Sequence, residues 1–136
     1  MVRRLLPLAV LSALAACVSA DYMPVGPNTF PPRPDDWVIE VYLGVDAPVR
    51  VHKSIEHPKS TNDIPANAEL IGRVDAAGDA YASWNAIINA AKDRARKLGG
   101  DGIVIGSWGS TMTHVGSWGE TYYGSNVSVQ VIRYNP

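Results

Sequence analysis

Residues 69–105 constrain the fold more than any other stretch, because they read in order as strand, helix and strand. Glu69-Leu-Ile-Gly-Arg-Val74 is short, rich in β-forming residues and partly alternating. Over residues 83–98 the apolar side chains step by three and four. Trp84, Ile87, Ile88, Ala91, Ala95 and Leu98 then share one side of a helix, while Asn85, Asn89, Lys92, Asp93, Arg96 and Lys97 fall mostly on the other. Ser83 suits the N-cap, since its hydroxyl can accept from a first-turn N–H; Asp79 is the alternative. Gly99-Gly100-Asp101-Gly102 stops the helix, with Gly99 suited to the left-handed residue after it. Ile103-Val104-Ile105 reads as a buried strand, and the unit as a right-handed crossover between parallel strands. The basic residues Lys92, Arg94, Arg96 and Lys97 invite a nucleic-acid or lipid-headgroup reading. The cluster is short and interrupted by Asp93, which favours cations complementing the helix C-terminal dipole, with Asp93 and Lys97 as an i,i+4 pair.

The N-terminus sets the cellular address. Arg3 and Arg4 form a positive region, and the apolar run from Leu5 to Leu14 is too short to span a bilayer and is interrupted by Pro7. Leu14-Ala15-Ala16-Cys17 resembles the lipobox of bacterial lipoprotein signal peptides. The resemblance implies cleavage before Cys17, diacylation of its thiol and acylation of its new amino group. An ordinary secretory signal with a chance cysteine is the alternative. One acyl chain binds a membrane only marginally, whereas two or three at ~0.8 kcal/mol per buried methylene hold it firmly. Val18, rather than an aspartate, follows Cys17. By the retention rule for lipoproteins this points to the outer membrane, with the domain in the periplasm.

The domain organisation expected is a signal peptide over 1–16, a lipidated Pro-rich tether over 17–36 and one domain over 37–136. Pro24, Pro27, Pro31, Pro32 and Pro34 crowd the tether. Such a stretch excludes helix and central strand, and at ~3.1 Å per residue its residues 18–36 would reach about 60 Å. Tyr22 and Phe30 read as incidental there. Cys17 is the single cysteine, so no disulfide supports the fold. Without Arg3 and Arg4 the 12 basic residues fall to ten against 13 acidic ones, formally −3. This argues against a nucleic-acid partner.

Trp37-Val-Ile-Glu-Val-Tyr-Leu43 alternates as a strand, with Ile39, Val41 and Leu43 on one face and Val38, Glu40 and Tyr42 on the other. Val49-Arg-Val-His52 is a weaker extended piece, and residues 56–68 read as a loop. His52, Glu56, His57 and His114 are possible metal ligands, but no zinc spacing joins them, so no metal and no cofactor is expected. Gly106-Ser-Trp-Gly109 recurs as Gly116-Ser-Trp-Gly119. The economical reading is one long hairpin with arms over 103–115 and 120–134, a Gly116–Gly119 tip and inner glycines as bulges. Two short strands around a disordered glycine-rich loop are the alternative. Trp118 at the tip, with His114, Trp108 and Tyr122 nearby, forms a candidate binding surface. In the competing account Trp108 and Trp118 fold back over an open sheet face.

Ile71-Gly-Arg-Val74, together with the run Ala91-Lys-Asp-Arg-Ala-Arg-Lys-Leu98-Gly-Gly-Asp-Gly102-Ile-Val-Ile105, resembles small bacterial envelope proteins related to the outer-membrane sensor lipoprotein of the Rcs envelope-stress pathway. The resemblance implies a strand, a helix ending in a glycine turn, and an aliphatic strand followed by a hairpin. The chain lacks the cysteines of that sensor's disulfides. The fold class expected is α+β, two layers, with one main helix at about 83–98 on a mixed sheet of about four strands and a long C-terminal hairpin. No nucleophile elbow, phosphate loop or paired carboxylates emerge, so no catalytic residue is assigned. The leading functional reading is a non-catalytic, lipid-anchored interaction or sensing module of the periplasm. Its partners would be the membrane, through the lipid on Cys17, and an envelope protein or cell-wall component. A carbohydrate- or peptidoglycan-binding module using exposed Trp108, Trp118 and Tyr122 is the alternative; the third is a hydrolase whose residues the sequence does not assemble, which a pocket joining His114 to a carboxylate and a hydroxyl would favour.

Overall fold

A computed structural model describes residues 17–44, 47, 53, 55, 58–60 and 63–136, with backbone alone at 60, 111–114 and 122. The stretch 1–16 expected to be a signal peptide and the expected extended piece Val49-Arg-Val-His52 lie outside the described residues. One helix packs on a mixed sheet, an α+β arrangement. The strands are β1 (Val18–Pro24), β2 (Glu40–Leu43), β3 (Lys59–Ser60), β4 (Ala68–Gly78), β5 (Gly102–Val115) and β6 (Thr121–Tyr134). They form a six-stranded sheet in the order β1-β4-β6-β5-β2-β3, rather than about four strands. The helix α1 (Trp84–Lys97) connects β4 to β5.

β4 and β5 both run antiparallel to β6, so they are parallel to one another with β6 inserted between them. The strand–helix–strand unit is therefore split, and its two strands never touch. β2 and β3 extend the other side in parallel. β3 lies in the stretch expected to be a loop, and two residues of ladder are too short to leave a periodicity.

The helix follows its sequence closely. Ser83 caps it, its hydroxyl accepting from the Ala86 N–H at 3.1 Å. Asp79 instead accepts from the Tyr81 N–H at 2.9 Å and shapes the preceding turn. Ile87, Ile88, Ala91 and Ala95 are buried against Ile103, Ile105, Val74, Val127, Val129 and Val131 of the sheet. Gly99, at φ 84°, provides the left-handed exit that a side chain would strain. The predicted Asp93–Lys97 pair is replaced by Asp93–Arg96 at 2.6 Å. The opposite sheet face is only partly covered, by a small cluster of Tyr42, Val104 and Ile132 with Ile64, Ala68 and Tyr134 beside it.

The tether is the largest correction. Val18–Pro24 pairs residue by residue with Gly78–Gly72 of β4. Val18 and Ala20 face the core, and the Arg94 guanidinium stands over Tyr22, 5.5 Å from its centroid. Pro24 closes the strand at its last position, where a missing N–H costs no central ladder bond. The proline-rich remainder is strapped across the helix C-terminus. The Arg33 N–H donates to the Arg96 carbonyl at 2.7 Å, and Arg133 stacks over Phe30 at 4.5 Å. The basic residues of the last helical turn thus hold chain as well as complement the dipole. Arg94 Nε donates to the Ala20 carbonyl at 3.2 Å and Arg96 Nε to the Trp37 carbonyl at 2.7 Å.

Candidate functional site

The register divides the molecule into two ends. Val18, Gly78, Ser125 and Ser110 lie abreast at one end. Glu40, Gly102 and Ile132 lie abreast near the other. The second end carries an open cleft of about 460 Å³ lined by Asp36, Trp37, Val38, Glu40, Asp101 and Tyr134.

Asp101 organises this cleft. It sits in the turn that stops α1, so the helix and β5 fix its backbone. Its main-chain N–H donates to the Ile132 carbonyl at 2.8 Å and its carbonyl accepts from Glu40 at 3.1 Å. Its carboxylate accepts from the Trp37 indole at 3.1 Å and from the Tyr134 N–H at 3.0 Å. Arg33 pairs with it at 3.0 Å and stacks on the Trp37 ring at 4.5 Å. Asp101 is 9 % exposed, and these partners offset the cost of burying its charge.

Glu40 anchors the other wall. Alternation along β2 sends Ile39, Val41 and Leu43 into the core and leaves Glu40 and Tyr42 on the opposite face. The Tyr134 hydroxyl donates to Glu40 Oε2 at 2.6 Å, and Lys59 Nζ lies 2.6 Å from the same oxygen. With the Tyr134 proton given to Glu40, the Tyr42 hydroxyl donates to the Tyr134 hydroxyl and lies 3.4 Å from the same Glu40 oxygen. The Lys59 ammonium, and then the Tyr134 hydroxyl, hold the Glu40 carboxyl below its usual range. The bond to Glu40 raises Lys59. Burial first, then the bond to Glu40, raises the Tyr134 hydroxyl well above its ordinary value. The shifts of Glu40, Lys59 and Tyr134 all run away from neutrality, Glu40 towards the carboxylate and Lys59 and Tyr134 towards the protonated form.

The residues singled out in the sequence lie elsewhere. Cys17 is exposed at the first end, its N–H donating to Asp79 Oδ2 at 3.1 Å and its carbonyl accepting from the Asp79 N–H at 3.0 Å. Trp108 is half-buried and packs against the main core on the helix side of the sheet. Trp118 is 95 % exposed and does not fold back. The two tryptophans are therefore not brought together, and an exposed plane shared by Trp108 and Trp118 is not formed. His114 and Tyr122 pair in register across the outer hairpin; their side chains lie outside the description. His52, Glu56 and His57 also lie outside the described residues.

Sequence reasoning missed the cleft. Trp37 and Asp101 are 64 positions apart and Glu40 and Tyr134 are 94 apart. The available signals were weak: an aspartate within a glycine stop, and Glu40 and Tyr42 on the polar side of a strand. No family model, no curated protein and no solved structure matches the chain.

Proposed function

We propose that the protein is a lipid-anchored component of the cell envelope, a non-catalytic interaction or sensing module held at the outer membrane through Cys17 and working in the periplasm. The lipobox Leu14-Ala15-Ala16-Cys17 supports the anchor. The observation that carries the interaction role is the cleft at the end of the sheet away from Cys17. There the exposed apolar surface of Val38, at 79 %, and of Trp37 adjoins the carboxylates of Asp36 and Glu40. Such a surface suits a protein segment that brings an apolar side chain to Trp37 and Val38 and a cationic or N–H donor to the acids.

Two measurements test this reading. The wild-type protein incorporates labelled palmitate and sediments with membranes, whereas Cys17→Ala does neither; labelling of the variant would remove the anchor. Affinity capture from envelopes recovers a partner that Val38→Asp loses with its melting temperature unchanged. Identical capture by both proteins would remove the cleft.

A further inference from the structure

The hairpin does not end where the sheet does. Ser110 and Ser125 are level with Gly78 and Val18, and beyond that level, among the described residues, β5 and β6 pair only with each other, as far as Val115 and Thr121. The tip stands about seven residues further on, about 20–25 Å at the rise of a strand. It projects from the end of the sheet that begins at Cys17. The tip is built to hold its shape: the Gly116 N–H donates to the Glu120 carbonyl at 2.7 Å and the Gly119 N–H to the Gly116 carbonyl at 3.1 Å. The Glu120 carboxylate folds back to accept from the Trp118 N–H at 3.0 Å. Gly119, at φ 80°, supplies the turn's left-handed residue.

This projection is apolar where it is most exposed. Trp118 is 95 % exposed, Val115 57 % and Tyr123 60 %. Between Asp101 and Arg133 the sequence has no Lys or Arg, and Glu120 is its single acidic residue. Large exposed aromatics on a nearly uncharged, internally bonded turn match the chemistry of the membrane–water interface, where indole rings partition with their N–H groups still solvated.

We infer that the Gly116–Gly119 tip is a second membrane contact, seating Trp118 in the headgroup layer of the same bilayer that holds the lipid on Cys17. The inference rests on the anchor reading above. β1 and the hairpin lie about 10 Å apart across the sheet, so a bilayer touching both Cys17 and Trp118 sees the sheet tilted. The outer edge of β1, with exposed Tyr22 and Met23, then faces the lipid, and the cleft at β2 faces away from it. One lipidated residue alone leaves a domain free to swivel; two contacts fix which way the cleft looks.

The test uses the full-length protein, purified from membranes, reconstituted in phosphatidylethanolamine vesicles and shown by mass spectrometry to carry acyl chains. Tryptophan emission is compared for wild type and Trp118→Phe, with and without brominated phosphatidylcholine. The Trp118 component, the difference between the two proteins, is quenched at least twofold by the brominated lipid and lies at shorter wavelength in vesicles than the same component of the unlipidated Cys17→Ser protein in lipid-free buffer. A Trp118 component unquenched in acylated protein overturns the inference and leaves the anchor standing. Absence of acyl chains overturns both. In a second arm, unlipidated Cys17→Ser protein floats with vesicles about tenfold more weakly once Trp118→Ala is added, the factor that partial burial of one large aromatic supplies. Equal flotation of the two overturns the inference, and unchanged melting excludes misfolding as the cause of a difference.

Discussion

One hairpin lives in two environments. Its inner half, over residues 102–110 and 125–134, is flanked by β4 and by β2 and lies under α1. Its outer half, over 111–124, has no third strand beside it among the described residues. Both halves are built from similar residues, yet Ile103, Val129 and Val131 are at most 1 % exposed while Val115, Trp118 and Tyr123 are largely in solvent. Both halves hold β-forming residues; the neighbouring strands and helix decide which half is buried and which stays in solvent. The cleft lies at the far end of the inner half, where Tyr134 lines it, and the tip closes the outer half.

Substitutions should reproduce that contrast. The largest effect is expected at the helix facing the inner half. Ile88 is 1 % exposed, and Ile88→Ala should destabilise by about 2–5 kcal/mol in a denaturant titration. Asp101→Ala comes next. It leaves the Trp37 indole, the Tyr134 N–H and Arg33 without their acceptor, and should cost about 2–3 kcal/mol by the same measurement.

Tyr134→Phe is smaller, about 1 kcal/mol, and has a sign that can be read by pH. Glu40 titrates below its unfolded value. Its contribution is complete above the unfolded glutamate range and is lost as pH falls through the folded value. Removing the Tyr134 hydroxyl moves the folded value up and narrows that gap. The variant's stability should therefore vary less between neutral and acid pH, and the Glu40 carboxyl resonance should titrate at higher pH than in wild type. Trp118→Ala comes last, at less than about 0.5 kcal/mol. A loss at Trp118 comparable to that at Ile88 would erase the distinction between the halves.

Local signals were legible and non-local ones were not. The helix was visible because its apolar spacing, Ser83 and Gly99 all agree within one segment. The hairpin was visible because Val127, Val129 and Val131 alternate. That β6 separates β4 from β5 was not visible, since either order satisfies the same alternation. β1 was hidden by its neighbours. Val18, Ala20 and Tyr22 alternate with Ser19, Asp21 and Met23, but the prolines that follow drew the whole stretch into one reading. Proline excludes a central strand; it does not exclude an edge strand that ends on Pro24 or a strap held by arginines. The cleft escaped for a related reason. Trp37 and Asp101, like Glu40 and Tyr134, meet only after the sheet has assembled, and no spacing along the chain records such a meeting.

The central claim is that Val18–Pro24 and the proline-rich segment after it are part of the folded domain, so that no free tether lies between Cys17 and the rest of the sheet. Amide hydrogen exchange tests it most directly at three positions. The Val25 N–H donates to the Ile71 carbonyl at 2.9 Å, the Arg33 N–H to the Arg96 carbonyl at 2.7 Å and the Asp79 N–H to the Cys17 carbonyl at 3.0 Å. All three should exchange at least a hundredfold more slowly than unstructured amides, about the protection that a local opening free energy of 3 kcal/mol confers. Exchange of Val25 and Arg33 at unstructured rates, beside protected amides in β6, would contradict it and restore a flexible tether between membrane and domain.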